Sequence, residues 1–213
     1  MIRLEKKYIL QNNSERLKFI KFLLKNGFKN IYKDRVNFSI YFDYRNLKFF
    51  HDSEEGLSFR NKLRLRTEKK FFSNNYKEFN FEIKESYPNF KKKFSFLSNE
   101  RYKNNNILIQ KKNFERKIFS KRIVPVLSTE YIRSYYYSDI YGRITIDQSL
   151  EYQIVKWKKF FESFYFVKKK KDKRIIIEHK IQNKLPENDF ITLISSRFSK
   201  YCEGVKTLNL DKN

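Results

Sequence analysis

The sequence predicts an antiparallel α+β protein, and three observations carry that prediction. Short runs in which apolar and polar residues alternate recur along the whole chain, the pattern of half-buried strands. Polar or glycine-bearing turns separate them. A few stretches, chiefly near the two ends, instead place apolar residues at helical spacing. The clearest run is Lys62-Leu63-Arg64-Leu65-Arg66-Thr67-Glu68, with Leu63 and Leu65 on one side and Lys62, Arg64, Arg66 and Glu68 on the other.

Arg3 to Leu10 reads as the first strand, with Arg3, Glu5 and Lys7 on one face and Ile2, Leu4, Tyr8 and Leu10 on the other. A helix follows, with Ser14 as N-cap, Glu15 in its first turn, Leu17, Ile20 and Leu24 as its apolar stripe, and Gly27 as its C′ residue. Asn37 to Asp43 alternates again, and Asp52 to Gly56 is a polar turn before the Lys62 run. Phe79 to Lys84 is the next strand, and a helix is expected over roughly 112–120, ending before Pro125. Ser128 to Tyr137 places Tyr131, Arg133 and Tyr135 on one face, and Arg143 to Asp147 sets Arg143, Thr145 and Asp147 opposite two isoleucines. Lys168 to Arg174 is a basic turn, and Ile175 to Lys180 is a strand carrying Ile176, Glu178 and Lys180 on one face. Pro186 opens a last helix with Phe190, Leu193, Ile194 and Phe198 as its core stripe. With no linker and no fixed-period repeat, residues 1–213 are expected to form a single domain.

Composition narrows the function classes. The 23 Phe and 15 Tyr supply enough area for a substantial core. The chain has no alanine and only 4 Gly, and it is rich in Lys, Asn, Ile and Phe, a skew typical of an A/T-rich coding background that accounts for part of the lysine excess. Even so, 48 Lys+Arg against 24 Asp+Glu gives +24, a charge that attracts polyanions: nucleic acid, anionic membrane or phosphorylated small molecules. The single cysteine, Cys202, excludes an internal disulfide and a multi-cysteine metal site, and is expected to be a buried small hydrophobe. His51 and His179 lack metal-ligand spacing. No apolar run reaches membrane-spanning length, and the N-terminus reads as a strand instead of a signal peptide, so a soluble, cytoplasmic protein is expected.

Which strand face points inward is the question on which function turns. A sandwich would bury the leucine and isoleucine faces against each other and point the cations outward. A closed barrel could pack its apolar face under helices and line its lumen with charge, and about eight strands suffice to enclose a small ligand. Periodicity does not choose between the two. Each cationic row contains or adjoins a carboxylate, Glu5 by Lys7, Glu82 by Lys84 and Glu178 by Lys180, which a closely packed charged interior requires.

In order along the chain, Glu5-Lys6-Lys7-Tyr8, Tyr41-Phe42-Asp43, Glu55-Gly56, Lys62-Leu63-Arg64-Leu65-Arg66, Phe81-Glu82-Ile83-Lys84, Tyr131-Ile132-Arg133, Arg143-Ile144-Thr145-Ile146-Asp147, Ile177-Glu178-His179-Lys180 and Ser199-Lys200-Tyr201 form a set. The set resembles the triphosphate tunnel metalloenzyme superfamily, and within it the polyphosphate polymerase domain of the vacuolar transporter chaperone (VTC) family. The resemblance implies an antiparallel closed β-barrel of about eight strands around a basic tunnel, with helices packed outside. It implies phosphate contacts from Lys7, Arg64, Arg66, Lys84, Arg133, Arg143, Lys180 and Lys200, with Arg64, Arg66 and Lys200 catalytic and Lys200 at the end of the last helix. It places a divalent metal, Mn2+ or Mg2+, on Glu178, with Glu5 the nearest second carboxylate. Glu82 and Asp147 read as structural partners of the cations. Arg3 stands where the hydrolytic branch of the superfamily carries a first glutamate, which favours the polymerase-like branch. The regulatory SPX domain and membrane helices of the fungal complex have no counterpart in this sequence, so anchoring and translocation are not implied.

The implied activity is metal-dependent transfer of the γ-phosphate of ATP onto inorganic polyphosphate. Such a transfer needs aligned phosphates and neutralised charge, and no Ser/His/Asp or Cys/His nucleophile set is present or required. Arg64 and Arg66 offer forked donors to neighbouring phosphates, and the lysines act as point charges. Two alternatives stay open: a triphosphatase acting on tripolyphosphate, a nucleoside triphosphate or an RNA 5′-triphosphate, and a non-enzymatic nucleic-acid or polyanion binder that uses the charge and the aromatics. Lys91 to Lys93 and Lys168 to Lys171 are expected to be solvated loops.

Overall fold

In the computed structural model, the described residues are 4–67, 80–88, 90–97, 123–158, 163–181 and 191–212. They form nine strands and three α-helices: β1 (Leu4–Leu10), α1 (Asn13–Lys25), β2 (Lys29–Tyr44), α2 (Lys48–Glu54), β3 (Arg60–Thr67), β4 (Asn80–Ser86), β5 (Lys91–Leu97), β6 (Ile123–Ser138), β7 (Gly142–Lys158), β8 (Ser163–Asp172), β9 (Ile175–Ile181) and α3 (Lys200–Leu208). The hydrogen-bonded order is β1-β9-β7-β6-β2-β3-β4-β5, with β8 pairing β7 off that path. The β1–β9, β9–β7, β2–β3, β3–β4 and β4–β5 ladders are antiparallel. The antiparallel α+β class is therefore the one observed. Among the described residues the strand order ends at β1 and β5, and no ladder closes it into a barrel.

The chain divides into two compact units, each assembled from three separated stretches. The first comprises 1–37, 130–151 and 171–199. Its core joins Tyr8 and Leu10 of β1, Tyr136 of β6, Ile144 and Ile146 of β7, and Ile175 and Ile177 of β9, with Phe19 and Leu23 of α1, Phe28 and Ile191. Alternation sends these residues to one side of their strands, and helix α1 covers that side. A fully buried Ile, Leu or Phe contributes ~1.5–3 kcal/mol, so a one-residue register slip, which would send every such side chain to the opposite face, is heavily penalised.

Helix α1 begins two residues earlier than its serine suggests. Asn12, not Ser14, is the N-cap, accepting from the Glu15 amide at 2.9 Å, while Glu15 reaches back to the amide of Gln11 at 2.9 Å. Gly27 ends the helix in the left-handed region at φ 77°, as expected. The buried stripe is Phe19 and Leu23, with Ile20 partly buried, whereas Leu17 and Leu24 are half-exposed. Starting the helix earlier does not by itself rotate the stripe.

The second unit comprises 38–129, 152–170 and 200–213. Phe38, Ile40 and Phe42 of β2, Leu63 and Leu65 of β3, Phe49 of α2, Ile123 of β6 and Val155 of β7 form its core, with Phe81 and Ile83 of β4 and Phe164 and Phe166 of β8 against them. Phe38–Phe166 and Phe42–Phe164 meet edge to face at 5.8 and 6.2 Å. The expected turn over Asp52–Gly56 is in part helix α2. Its N-cap, Leu47, has φ 54° and no side-chain cap, and the Asp43 carboxylate serves instead, accepting from the Phe49 and Phe50 amides at 2.9 and 3.0 Å.

Three further expectations are corrected. The last helix starts at Lys200, and residues 191–199 are not helical; Leu193 and Ile194 are exposed and only Phe198 of that stretch's stripe is buried. Lys200 thus opens the helix instead of closing it. Lys91–Lys93 lie in β5 and Lys168–Lys171 in β8, both strands. The helix expected over 112–120, Pro186 and Phe190 at the start of the last helix, Arg3 and Glu68 fall outside the described residues. No helix among the described residues is long and apolar enough to cross a membrane.

Candidate functional site

Each unit carries a charged face on the opposite side of its strands from the core. In the first unit, register sets Glu5 beside Lys180 and Lys180 beside Arg143, then Lys7 beside Glu178 and Glu178 beside Thr145. Directly opposed residues share a face, so these side chains stand together, away from Tyr8, Ile177 and Ile144. Charges alternate in space. The Lys7 ammonium lies 3.7 Å from Glu5 and 3.8 Å from Glu178, and donates to the Phe198 carbonyl at 2.9 Å. Arg133 reaches the other oxygen of Glu178 at 3.3 Å and grips Asp147 with two hydrogen bonds of 2.5 and 2.7 Å. The Lys7 backbone carbonyl also accepts from the Ser196 amide at 2.7 Å, which ties residues 191–199 to β1.

These groups are largely enclosed: side-chain exposure is 25% for Lys7 and Glu5, 13% for Glu178, 11% for Arg133 and 0% for Asp147. Burial alone would weaken the charge on Arg133, but Asp147 beside it outweighs that and holds its pKa well above the usual guanidinium value. Lys180 moves the other way: burial and then the Arg143 charge lower its pKa from the ordinary lysine value. Arg143 itself is exposed.

Glu5 and Glu178 are the carboxylates on which the resemblance places a divalent metal. Among the described residues no cluster of three or more His, Cys, Asp or Glu is gathered for one ion. Both carboxylates converge on a single cation, the Lys7 ammonium, and Asp147 is held on both oxygens by Arg133. Two carboxylate oxygens fit a hard cation that takes the rest of its shell from phosphate and water, as Mg2+ does.

In the second unit the pairing puts Tyr41, Arg64 and Glu82 side by side on one face, Ser39, Arg66 and Asn80 next to them, and Lys62, Lys84 and Lys93 beyond. Arg64 gives Nε and Nη2 to one oxygen of Glu82, at 2.8 and 2.5 Å, and Nη1 to the Tyr41 hydroxyl at 3.2 Å. Lys93 takes the other Glu82 oxygen at 2.8 Å. Burial would raise the pKa of Glu82, but Arg64 and Lys93 overcome it and bring it down to about 2. Lys84 is exposed, Arg66 is half-buried between Ser39 and Asn80, and Lys200 is buried in the first turn of α3.

Sequence reasoning missed several of these partners. Lys93 reads as a loop lysine yet braces Glu82, because only the β4–β5 register brings it there. Ser39 Oγ, Asn80 Oδ1 and Thr145 Oγ1 are buried without a hydrogen-bond partner among the described residues, and nothing in a sequence marks that. Tyr41, Asp43 and Tyr201 meet in a buried cluster that was visible only as parts of two sequence words.

The fold and these faces define an antiparallel α+β protein in which rows of Lys and Arg, braced by carboxylates, lie opposite an aliphatic and aromatic core. A family model described as the VTC domain matches residues 2–209, and the chain belongs to that family. No curated protein matches it. Among solved structures, it is similar to a structural-genomics target from Vibrio parahaemolyticus, at 11% identity over 86% of this chain and 78% of that one, with a TM-score of 0.46. It is also similar to the PH1819 protein of Pyrococcus horikoshii OT3, at 14% identity over 85% of this chain and 80% of that one, with a TM-score of 0.44. The PH1012 protein of the same organism gives 13% identity, 99% and 88% coverage, and a TM-score of 0.41. These likenesses carry no functional weight at such scores.

Proposed function

We propose that this protein is a metal-dependent phosphotransferase that moves the γ-phosphate of ATP onto inorganic polyphosphate, working as one VTC-type domain whose strands close around a Lys/Arg-lined tunnel. Membership of the VTC family supports this reading. The single observation that carries it is the sidedness of each unit: the apolar side of the strands is filled by a core, and the cationic side is partly enclosed and threaded with carboxylates. Cations held this way are pre-oriented for a chain of phosphates, which would replace carboxylate contacts with phosphate contacts at little reorganisation cost.

In this reading Lys7, Arg133, Arg143 and Lys180 hold phosphates in the first unit, and Arg64, Arg66, Lys84 and Lys200 in the second. Glu178 and Glu5 hold the divalent metal, which supplies charge neutralisation at phosphate oxygens. The terminal oxygen of the polyphosphate chain attacks the γ-phosphorus, the bond to the β-bridging oxygen breaks, ADP leaves and the chain grows by one phosphate. Incubation with ATP and Mn2+ or Mg2+ tests the proposal: polyphosphate plus ADP is the expected product. Orthophosphate alone, released from ATP or tripolyphosphate, would establish the triphosphatase reading instead. Salt-sensitive nucleic-acid binding that survives Arg64→Ala and Arg66→Ala, with no turnover of either substrate, would overturn both.

A further inference from the structure

Two of the sequence words on which the resemblance was drawn, Tyr41-Phe42-Asp43 and Ser199-Lys200-Tyr201, contribute Tyr41, Asp43 and Tyr201, to which the proposed function gives no phosphate contact. Within the second unit those residues are in direct contact. Asp43 is fully buried, and its carboxylate accepts four hydrogen bonds: Oδ1 from the Tyr44 and Phe49 amides at 2.7 and 2.9 Å, Oδ2 from the Phe50 amide and the Tyr201 hydroxyl at 3.0 and 2.5 Å. The Tyr201 ring stacks on the Tyr41 ring, with centroids 5.3 Å apart and planes 25° from parallel. The Tyr41 hydroxyl accepts from Nη1 of Arg64, whose Nε and Nη2 are already on Glu82. The guanidinium is therefore held on two sides.

Burial drives the Tyr201 pKa far up and the Asp43 charge pushes it further, so the hydroxyl remains the donor of that bond. Burial also raises Asp43, against the pull of the four donors. A buried carboxylate with all of these donors satisfied fixes its neighbours more tightly than a half-satisfied one. The cluster binds the start of α2, the first turn of α3, where Lys200 sits, and through Tyr41 the centre of β3. An ion pair between Lys206 and Glu54 ties α3 to α2 a second time.

We propose that Asp43, Tyr201 and Tyr41 form a positioning relay that holds the Arg64 guanidinium and the Lys200 turn of α3 in the orientation a phosphate chain requires. None of the three touches the substrate, and the proposal rests on the reading of Arg64 and Lys200 as phosphate ligands.

Tyr41→Phe isolates the last link, because it keeps the ring stack and deletes only the hydroxyl facing Arg64. Tripolyphosphate is titrated calorimetrically into the full chain and into Tyr41→Phe, Arg64→Ala and the double variant, and thermal unfolding is recorded for each. The expected result is about a tenfold loss of affinity in Tyr41→Phe with little change in Tm, and no further loss from Tyr41→Phe once Arg64 is absent. Tyr201→Phe serves as the second variant: it lowers Tm, and its loss of affinity shrinks in the Arg64→Ala background to the part that comes from the displaced Lys200 turn. The Arg64 side-chain Nε–H resonance gives a readout independent of ligand, and its exchange with solvent should quicken in Tyr41→Phe. Losses that add in the double variant, or an unchanged Arg64 resonance, would overturn the relay while leaving the phosphate-binding reading in place. A parent chain that fails to bind tripolyphosphate would overturn that reading, and the relay's stated purpose with it.

Discussion

Arg133 holds both oxygens of Asp147 along one edge of its guanidinium, Nε to Oδ1 at 2.5 Å and Nη2 to Oδ2 at 2.7 Å, on a carboxylate with no solvent exposure. A buried pair of this geometry stabilises little relative to an apolar replacement, but removing Asp147 leaves the enclosed Arg133 charge to the longer Glu178 contact, at 3.3 Å, in a poorly solvated site. Asp147→Ala should therefore destabilise by ~3–5 kcal/mol in urea unfolding, and Arg133→Met with Asp147→Leu together by much less than that. A cost for Asp147→Ala below ~1 kcal/mol, the level of an exposed ion pair, would contradict this description of the pair.

Glu82 gives an acid-limb prediction whose sign is fixed by its shift. Burial opposes ionisation, but Arg64 and Lys93 prevail and lower its pKa from 4.5 to about 2, so the folded state favours the carboxylate. That contribution is fully present above about pH 4.5 and drains away as the pH falls toward 2. In urea titrations stepped from pH 7 to pH 2.5 (about the acid limit of the shift), the parent should begin more stable than Glu82→Gln, and the gap should narrow steadily as the pH falls below about 4.5. A gap that stays constant through the acid range would show that Arg64 and Lys93 do not depend on the charge at this position.

Strand existence was legible where one face is buried and the other is not, because alternation survives there: Lys62 to Thr67, Arg143 to Asp147 and Ile175 to Lys180 all lie in strands. Strand extent was not. Asn37 to Asp43 alternates in sequence and was legible, but β2 continues back to Lys29 through residues 29–36, which are exposed or half-buried on both faces and so show no apolar contrast. Helix α2 escaped because its N-terminal amides are satisfied by Asp43, five and more residues before the helix begins, where no local capping signal looks for it. Leu193 and Ile194 keep helical spacing yet lie exposed in non-helical chain, since spacing reports a stripe and not whether anything covers it. At the site, residue types were readable and partners were not. Lys7 meets Glu178 only because the two ends of the chain pair as β1 and β9.

Ser39 and Thr145 carry buried hydroxyl oxygens with no hydrogen-bond partner among the described residues. Deleting a buried hydroxyl usually costs ~1 kcal/mol because a hydrogen bond goes with it. Here there is no bond to lose, and the desolvation penalty of an unpaired group disappears. Ser39→Ala and Thr145→Val should leave Tm unchanged or raise it in thermal unfolding. A fall in Tm of several degrees would mean that each hydroxyl is bonded to a buried water, and high-resolution diffraction of the parent would then show that water.

Gly204 sets two effects of opposite sign against each other. It lies inside α3, where alanine is the better helix former by ~1 kcal/mol, so propensity alone predicts that Gly204→Ala stabilises. The space around it argues the reverse. A Cβ there would lie 2.7 Å from Tyr152 Cδ1, 3.0 Å from Leu127 Cδ2 and 3.1 Å from Tyr152 Cε1. Tyr152 and Leu127 are both fully buried, so neither side chain has free space to turn into. Overpacking of this kind costs ~1–3 kcal/mol and is relieved mainly by moving the helix away from β6 and β7. Packing should therefore prevail, and Gly204→Ala should lower Tm. Because the displaced helix carries Tyr201 and Lys200 in its first turn, the Tyr201–Asp43 bond and the Tyr41 stack should loosen with it. Tripolyphosphate affinity should consequently fall further in Gly204→Ala than in Cys202→Ser, a neighbouring change in the same helix that adds no volume. A higher Tm for Gly204→Ala would show that α3 has room against Tyr152, and that its close seating is not what holds Lys200 in place.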